Sequence, residues 1–133
     1  MRIVLLSIIT LFLFTGCSSS KKIKLDLASE SFIKTVVEQE FDGEAVETIY
    51  NRDRDFAILV NRIERGIGYP VVINFVVVDL LKKKLLYVES VGDGSVSWFD
   101  NDIVLIKRVP GARSKIDEEN QKAERTELNV REL

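Results

Sequence analysis

The run VVINFVVVDLL, residues 71–81, holds nine apolar residues in eleven, most of them β-branched. A strand sends successive side chains to opposite faces, so a run this continuous leaves no polar face for water. It predicts a central strand covered on both sides, and the rest of the chain must supply the covers. Asn74, inside the run, is then a buried amide that needs hydrogen-bond partners, and we read it as structural.

One cover is visible upstream. Phe32, Ile33, Val36, Val37 and Phe41 repeat at helical spacing, with Ser29 or Ser31 available as N-cap and Gly43 just past the end. This predicts a helix over residues 30–41. Before it, Ile23, Leu25 and Leu27 alternate with Lys24 and Asp26, a pattern that suits a short strand or the docking of the preceding segment.

Downstream the pattern is β. Val46, Thr48 and Tyr50 alternate with polar neighbours, Asn51–Asp55 is a polar turn, and FAILVNRI follows at 56–63, which predicts a hairpin. Arg65–Pro70 is a glycine-rich loop into the central run. Lys82–Lys84 turns into LLYVESV (85–91), Gly92–Gly94 into SVSWF (95–99), and Asp100–Asp102 into IVLIKRV (103–109). Short runs joined by Asp, Asn and Gly turns predict an antiparallel meander. Trp98 and Phe99 fall on opposite faces of their strand. Pro110–Gly111 stops the last run, and the charged tail 112–133 has only Leu128 and Val130 to suggest an edge strand in TELNV. The expected fold is α+β: one N-terminal helix packed on a mainly antiparallel β-sheet of five to seven strands, in one domain over residues 23–111.

Charge and residue types narrow the chemistry. The 19 basic and 21 acidic residues are interspersed and leave a net charge of −2, so no field favours nucleic acid and no nucleic-acid partner is expected. There is no histidine, which removes imidazole triads and imidazole metal sites, and a single cysteine allows neither an internal disulfide nor a thiolate cluster. No cofactor is expected. Asp93, Asp100, Asn101 and Asp102 carry hard oxygen ligands, but they lack the glycine and distant glutamate of a calcium loop. Turns select the same residues, so no metal is expected. Asp100 and Asp102 would support acid–base hydrolysis only across a cleft that the spacing does not demand, so no catalytic residue is assigned and a non-enzyme is expected.

Arg52, Arg54, Arg62 and Arg65 gather around the first hairpin and the loop after it, interleaved with Asp53, Asp55 and Glu64. They read either as a self-neutralised solvated surface or as a patch for an anionic ligand or partner. Tyr69, an aromatic in a Gly/Pro loop, is a further candidate contact.

The N-terminus addresses location. Met1-Arg2 precedes IVLLSIITLFLF, residues 3–14, then Thr15, Gly16 and Cys17, the only cysteine. Twelve helical residues span roughly 18 Å, short of the roughly 30 Å bilayer core, so the run reads as a signal peptide with cleavage before Cys17. Phe14-Thr15-Gly16-Cys17 resembles the lipobox of bacterial lipoproteins, with Phe14 where leucine is usual. The resemblance implies that residues 1–16 are removed, that the Cys17 thiol is diacylglycerylated and its new amine acylated, and that residues 17–22, with Ser18–Ser20 and Lys21–Lys22, form a tether. Two or three acyl chains hold stably where one holds only marginally. A serine after the cysteine resembles outer-membrane sorting, and GSVSWFDNDIVLIKRVPG (94–111) is similar to small lipoproteins of unassigned function. The expected protein is therefore a lipid-anchored cell-envelope module, at the outer membrane facing the periplasm. It would bind an envelope protein, glycan or small ligand without catalysis, with a structural or assembly subunit of an envelope complex as the alternative and an acidic hydrolase as a third.

Overall fold

A computed structural model describes residues 26–109 and 124–133. Residues 1–25, with the signal segment, Cys17, the tether and the Ile23–Leu25 alternation, lie outside the described residues, as does the Pro110–Gly111 stop.

The central pair is β2 (Phe56–Ile63) and β3 (Val72–Asp79), which run antiparallel and pair along all eight residues of each. β1 (Glu47–Tyr50) flanks β2, and β4 (Lys84–Gly92) flanks β3, making a four-stranded antiparallel sheet in the order β1-β2-β3-β4. Both central strands are buried on both faces, as continuous apolar runs require. Ala57, Leu59, Val76, Val78 and Leu80 face one way, and Phe56, Ile58, Val60, Ile73, Phe75 and Val77 the other.

Helix α1 (Leu27–Glu40) covers the first face, inserting Val36 and Phe41 with Phe32, Ile33 and Val37 beside them. It starts earlier than its spacing predicts, because Asp26, not Ser29 or Ser31, is the N-cap: its carboxylate accepts the Ser29 N–H at 2.7 Å. Ser29 is buried instead, and Leu27 is helical. The last turn closes with the amides of Phe41 and Gly43 donating to the Val37 carbonyl, with Gly43 at φ 77° as the left-handed terminator.

The second face is covered by a separate sheet, and this corrects the expectation of one continuous meander. β5 (Ser95–Asp100), β6 (Ile103–Arg108) and β7 (Glu124–Asn129) form a three-stranded antiparallel sheet in that order. Val96, Val104, Ile106 and Val130 pack against the second face of β2 and β3. The architecture is α+β in three layers: helix, four-stranded sheet, three-stranded sheet. Each fully buried aliphatic side chain at these interfaces contributes about 1.5–3 kcal/mol.

The Gly92–Gly94 turn separates the sheets. Asp93 is left-handed at φ 46°, its N–H donates to the Val71 carbonyl, and its carboxylate accepts the Val71 N–H, each at 2.8 Å. At Gly94 a Cβ would lie 2.1 Å from the Lys107 carbonyl oxygen and 2.6 Å from Val91 Cγ1. Only glycine permits that approach, and it lets the chain double over instead of pairing beside β4. By Trp98 the chain has reached the opposite edge of the first sheet, where the indole N–H donates to the Ile49 carbonyl at 2.9 Å. β5 thus traverses the sheet. Phe99, an extra residue where the β5–β6 register shifts, turns outward beneath the Arg125 guanidinium, 4.9 Å from its ring centre.

The layers are also joined by polar groups. Arg108 on β6 pairs with Glu89 on β4 and donates to Thr126 on β7 at 2.7 Å, while the Tyr87 hydroxyl donates to Glu89 at 2.8 Å. The bond to Glu89, then burial, raises the Tyr87 phenol above its usual range.

Replacing Gly94 with alanine is expected to cost about 1–3 kcal/mol, the usual penalty for forcing atoms into filled space. Thermal melting would register it at roughly 4 °C per kcal/mol. A second expectation concerns acid. The Asp26 carboxyl is held below its ordinary range mainly by the Ser29 bonds, with nearby Lys83 adding a little. A depressed carboxylate stabilises the fold above its unfolded value, near pH 4, and loses that contribution as pH falls through the folded value. Asp26→Asn keeps a capping oxygen but cannot titrate, so its melting temperature should fall less steeply on the acid side, measured by circular dichroism across pH.

Candidate functional site

The strand directions define two ends. At the lower end lie the start of α1, the Asn51–Asp55 turn, the turn after β3 and the Asn101–Asp102 turn; at the upper end lie the Glu64–Pro70 loop and the Gly92–Gly94 turn. The sequence-derived site residues divide between them. Arg52 and Arg54 stand at the lower end, and Arg62, Arg65 and Tyr69 at the upper. The eight residues of β2, about 26 Å of strand, hold the two groups apart. The four arginines do not form one patch.

The lower end is a network built from turn residues. Asn51 is buried: its carboxamide oxygen accepts the Phe56 N–H at 3.1 Å, and its amide donates to Asp55 at 2.5 Å and to the Asn101 carbonyl at 2.9 Å. Asn101 in turn donates to Asp53 at 2.6 Å. Arg131, after β7, closes the group by reaching Asp102 at 2.6 Å and Asp55 at 3.7 Å. The bond to Asp102 pushes the Arg131 guanidinium up from its ordinary value. Arg52 lies 4.0 Å from Asp100, and the Arg54 guanidinium sits 5.4 Å from the Tyr50 ring centre. Burial is the main reason the Tyr50 phenol is raised.

These carboxylates and amides are engaged mainly with each other, while the second Asp102 oxygen, Oδ1, is buried without a hydrogen-bond partner among the described residues. Asp53, Asp55 and Asp102 each hold a named partner from another segment, and the ensemble fixes the β1–β2 turn against the β5–β6 turn. Among the described residues no group of three or more acidic or cysteine side chains is placed to hold a metal ion. Asp55 and Asp79 line one cavity of about 410 Å³ at this end, together with Phe56, Leu81 and Arg131; Asp55 is held there by Asn51 and Arg131, and Asp79 accepts the Lys82 N–H.

A second polar row crosses the helix-side face beyond the end of α1. Asn61 donates to Glu44 at 3.0 Å and to the Ala45 carbonyl at 3.2 Å, and Ser90 donates to Asn74, the amide inside the central run. The Asn61 carboxamide oxygen is buried without a partner among the described residues. Next to this row is a shallow cavity of about 380 Å³ between Glu40, Phe41, Val88 and Ser90. Asn74 is only partly buried, which corrects the expectation of a buried amide: it lies beyond the end of α1 at the rim of this cavity, where Ser90 is its partner.

The upper end differs in kind. Gly66 and Gly68 are left-handed at φ 108° and 88°, and the Tyr69 N–H donates to the Gly66 carbonyl at 3.3 Å, so the loop is a defined turn. Between and after the two glycines, Ile67 is 104% exposed and Tyr69 66%. Arg65 is exposed beside them, and Arg62 lies 3.8 Å from Glu47 in a solvated pair worth about 0–1 kcal/mol. A cavity of about 300 Å³ lies near the loop's base, lined by Pro70, Gly92, Asp93, Arg108 and Val109, and Val109 is itself half exposed. Ile67 escapes a reading based on charge and aromaticity. Its signal is an isoleucine flanked by two glycines, in a turn where neither face of a strand can bury it.

Comparison with protein-family models, with curated proteins and with solved structures yields no match for this chain. No helix among the described residues is long and apolar enough to cross a membrane.

Asn51→Ala leaves the Phe56 amide and the Asn101 carbonyl without their buried partner. Loss of about 1–3 kcal/mol is expected, to be measured by denaturant unfolding, with Arg52→Ala as a near-neutral control.

Proposed function

We propose that this chain is a lipid-anchored envelope protein, held at the membrane through Cys17, that binds an envelope partner without catalysis. The observation that carries the binding half is the upper loop. A fully exposed isoleucine and a largely exposed tyrosine on a glycine-framed turn, with Arg65 beside them, have the composition of an interface centre: apolar and aromatic anchors with an arginine. Such side chains gain by being covered. The anchor half is supported by the lipobox-like FTGC and its apolar leader. The lower end, with its carboxylates committed to bracing two turns, supports a scaffold role there. An outer-membrane position facing the periplasm is part of the same proposal, drawn from Ser18. A partner of complementary apolar surface, protein or glycan, suits the loop better than a small ligand, because both neighbouring cavities are shallow.

The experiment replaces Ile67 with aspartate and Tyr69 with alanine in the full chain, and captures crosslinked partners from native membranes. The expected result is loss of a reproducible partner, with membrane partitioning and melting temperature unchanged. Cys17→Ser should release the protein from membranes instead. Capture that is indifferent to Ile67 and Tyr69 would remove the loop from the reading, and full membrane retention of the Cys17→Ser protein would remove the anchor.

A further inference from the structure

Strand alternation carries a charge into the seam between the two sheets. On β3, Ile73, Phe75 and Val77 face the second sheet, and the next position on that face is Asp79, in register with Phe56. Only 7% of the Asp79 side chain is exposed. A carboxylate withdrawn from water needs hydrogen bonds and a close cation. One Asp79 oxygen accepts the Lys82 N–H at 2.8 Å, but the other faces the Lys82 ammonium at 3.9 Å, beyond hydrogen-bonding distance.

Asp79 lines the cavity of about 410 Å³ at the lower mouth of this seam. Phe56 and Val130, both buried, and half-buried Leu86 give it an apolar wall, and Leu81, 78% exposed, stands at its lip. A second pair of opposite charges lines it and is also held apart: Asp55 and Arg131 stand 3.7 Å from each other, whereas Arg131 meets Asp102 at 2.6 Å. Lys84 is a further cation of the lining, its ammonium 3.4 Å from the Leu133 carbonyl. Two charge pairs too wide for hydrogen bonds, beside an apolar wall, leave both donors and acceptors to fill. The volume falls within the range of about 300–1,000 Å³ for small-molecule sites, which combine apolar walls with a few polar groups.

We propose that this cavity binds a free α-amino acid with a large apolar side chain. The ligand ammonium donates to the Asp79 oxygen that the Lys82 N–H leaves open, its carboxylate accepts from Arg131, and its side chain lies against Phe56, Leu86 and Val130 beneath Leu81. An α-amino acid carries its two charges on one carbon, which suits carboxylates and cations standing 3.7 and 3.9 Å apart. Its zero net charge fits as well. The lining holds both signs, and Asp53, Asp100 and Asp102 share this end, so a bare cation would meet Lys82, Lys84 and Arg131 and a bare anion would meet the acids. The site lies at the opposite end from the Ile67–Tyr69 loop, and it goes beyond the envelope-partner reading without depending on it.

Titration calorimetry on the purified full chain should show saturable binding of L-phenylalanine and L-leucine at millimolar concentration or below. N-acetyl-L-phenylalanine lacks the ammonium and L-phenylalaninamide lacks the carboxylate, and each should bind at least about ten-fold more weakly, as loss of one charge-assisted contact implies. Glycine, with no side chain to cover the wall, should not bind measurably. Asp79→Asn keeps an oxygen for the Lys82 N–H and removes the charge, so it should melt close to the unaltered chain and lose L-phenylalanine by a similar factor. In the unaltered chain, L-phenylalanine should shift the amide resonances of Leu81, Lys82 and Arg131 and leave those of Ile67 and Gly68 in place. These ligand and resonance comparisons decide the matter even where Asp79→Asn does not fold. Absence of saturable binding, equal affinity for L-phenylalaninamide, a folded Asp79→Asn chain that binds unchanged, or shifts confined to the upper loop would each overturn the proposal.

Discussion

Everything in this structure follows from a pair of strands that cannot meet water on either side. β2 and β3 pair over their full lengths, and between them they point Phe56, Ile58, Ile73 and Phe75 one way and Leu59, Val76 and Val78 the other. A two-sided strand pair needs two covers. The chain makes one from a helix before the pair and one from a small sheet after it, so the layer order is also close to the order along the sequence. With one cysteine in the chain and no metal-holding group among the described residues, their stability rests on this burial and on the polar bonds that seal its ends.

Periodicity made the covers legible to different degrees. The apolar stripe from Phe32 to Phe41 named the helix and its buried face, because a helix repeats its own geometry and needs no knowledge of its partner. Its start was less legible: Asp26, Ser29 and Ser31 all have capping side chains, and only the packing that buries Ser29 decides among them. The turns from Lys82 to Asp102 also stood out. What they could not say was that the Gly92–Gly94 turn leaves the sheet, since a tight turn has the same composition whether the next strand pairs alongside or crosses over. That distinction lives in the contact of Gly94 with the Lys107 carbonyl, thirteen residues away.

The candidate site shows the same limit. Arg52, Arg54, Arg62 and Arg65 are near neighbours in sequence, but a strand between them carries the pairs to opposite ends. Linear proximity is informative within a turn and misleading across a strand. Asn51 and Asn101, fifty residues apart, are bonded instead, and each was visible only as a turn former. Ile67 was overlooked because an apolar residue is ordinarily assigned to a core; its two glycine neighbours are what deny it one.

Arg131 and Val130 give the molecule an order of completion. Val130 fills the space between the sheets, its N–H donates to the Asp102 carbonyl at 2.9 Å, and Arg131 joins Asp55 to Asp102 while its guanidinium lies 5.7 Å from the Phe56 ring centre. The groups they close are laid down more than seventy residues earlier in one case and nearly thirty in the other. A chain that emerges N-terminus first can therefore form its hairpins early, while the seam between the sheets waits for residues 130 and 131 to arrive. A nascent protein truncated before them would display an open apolar seam, the feature that quality-control proteases and chaperones recognise.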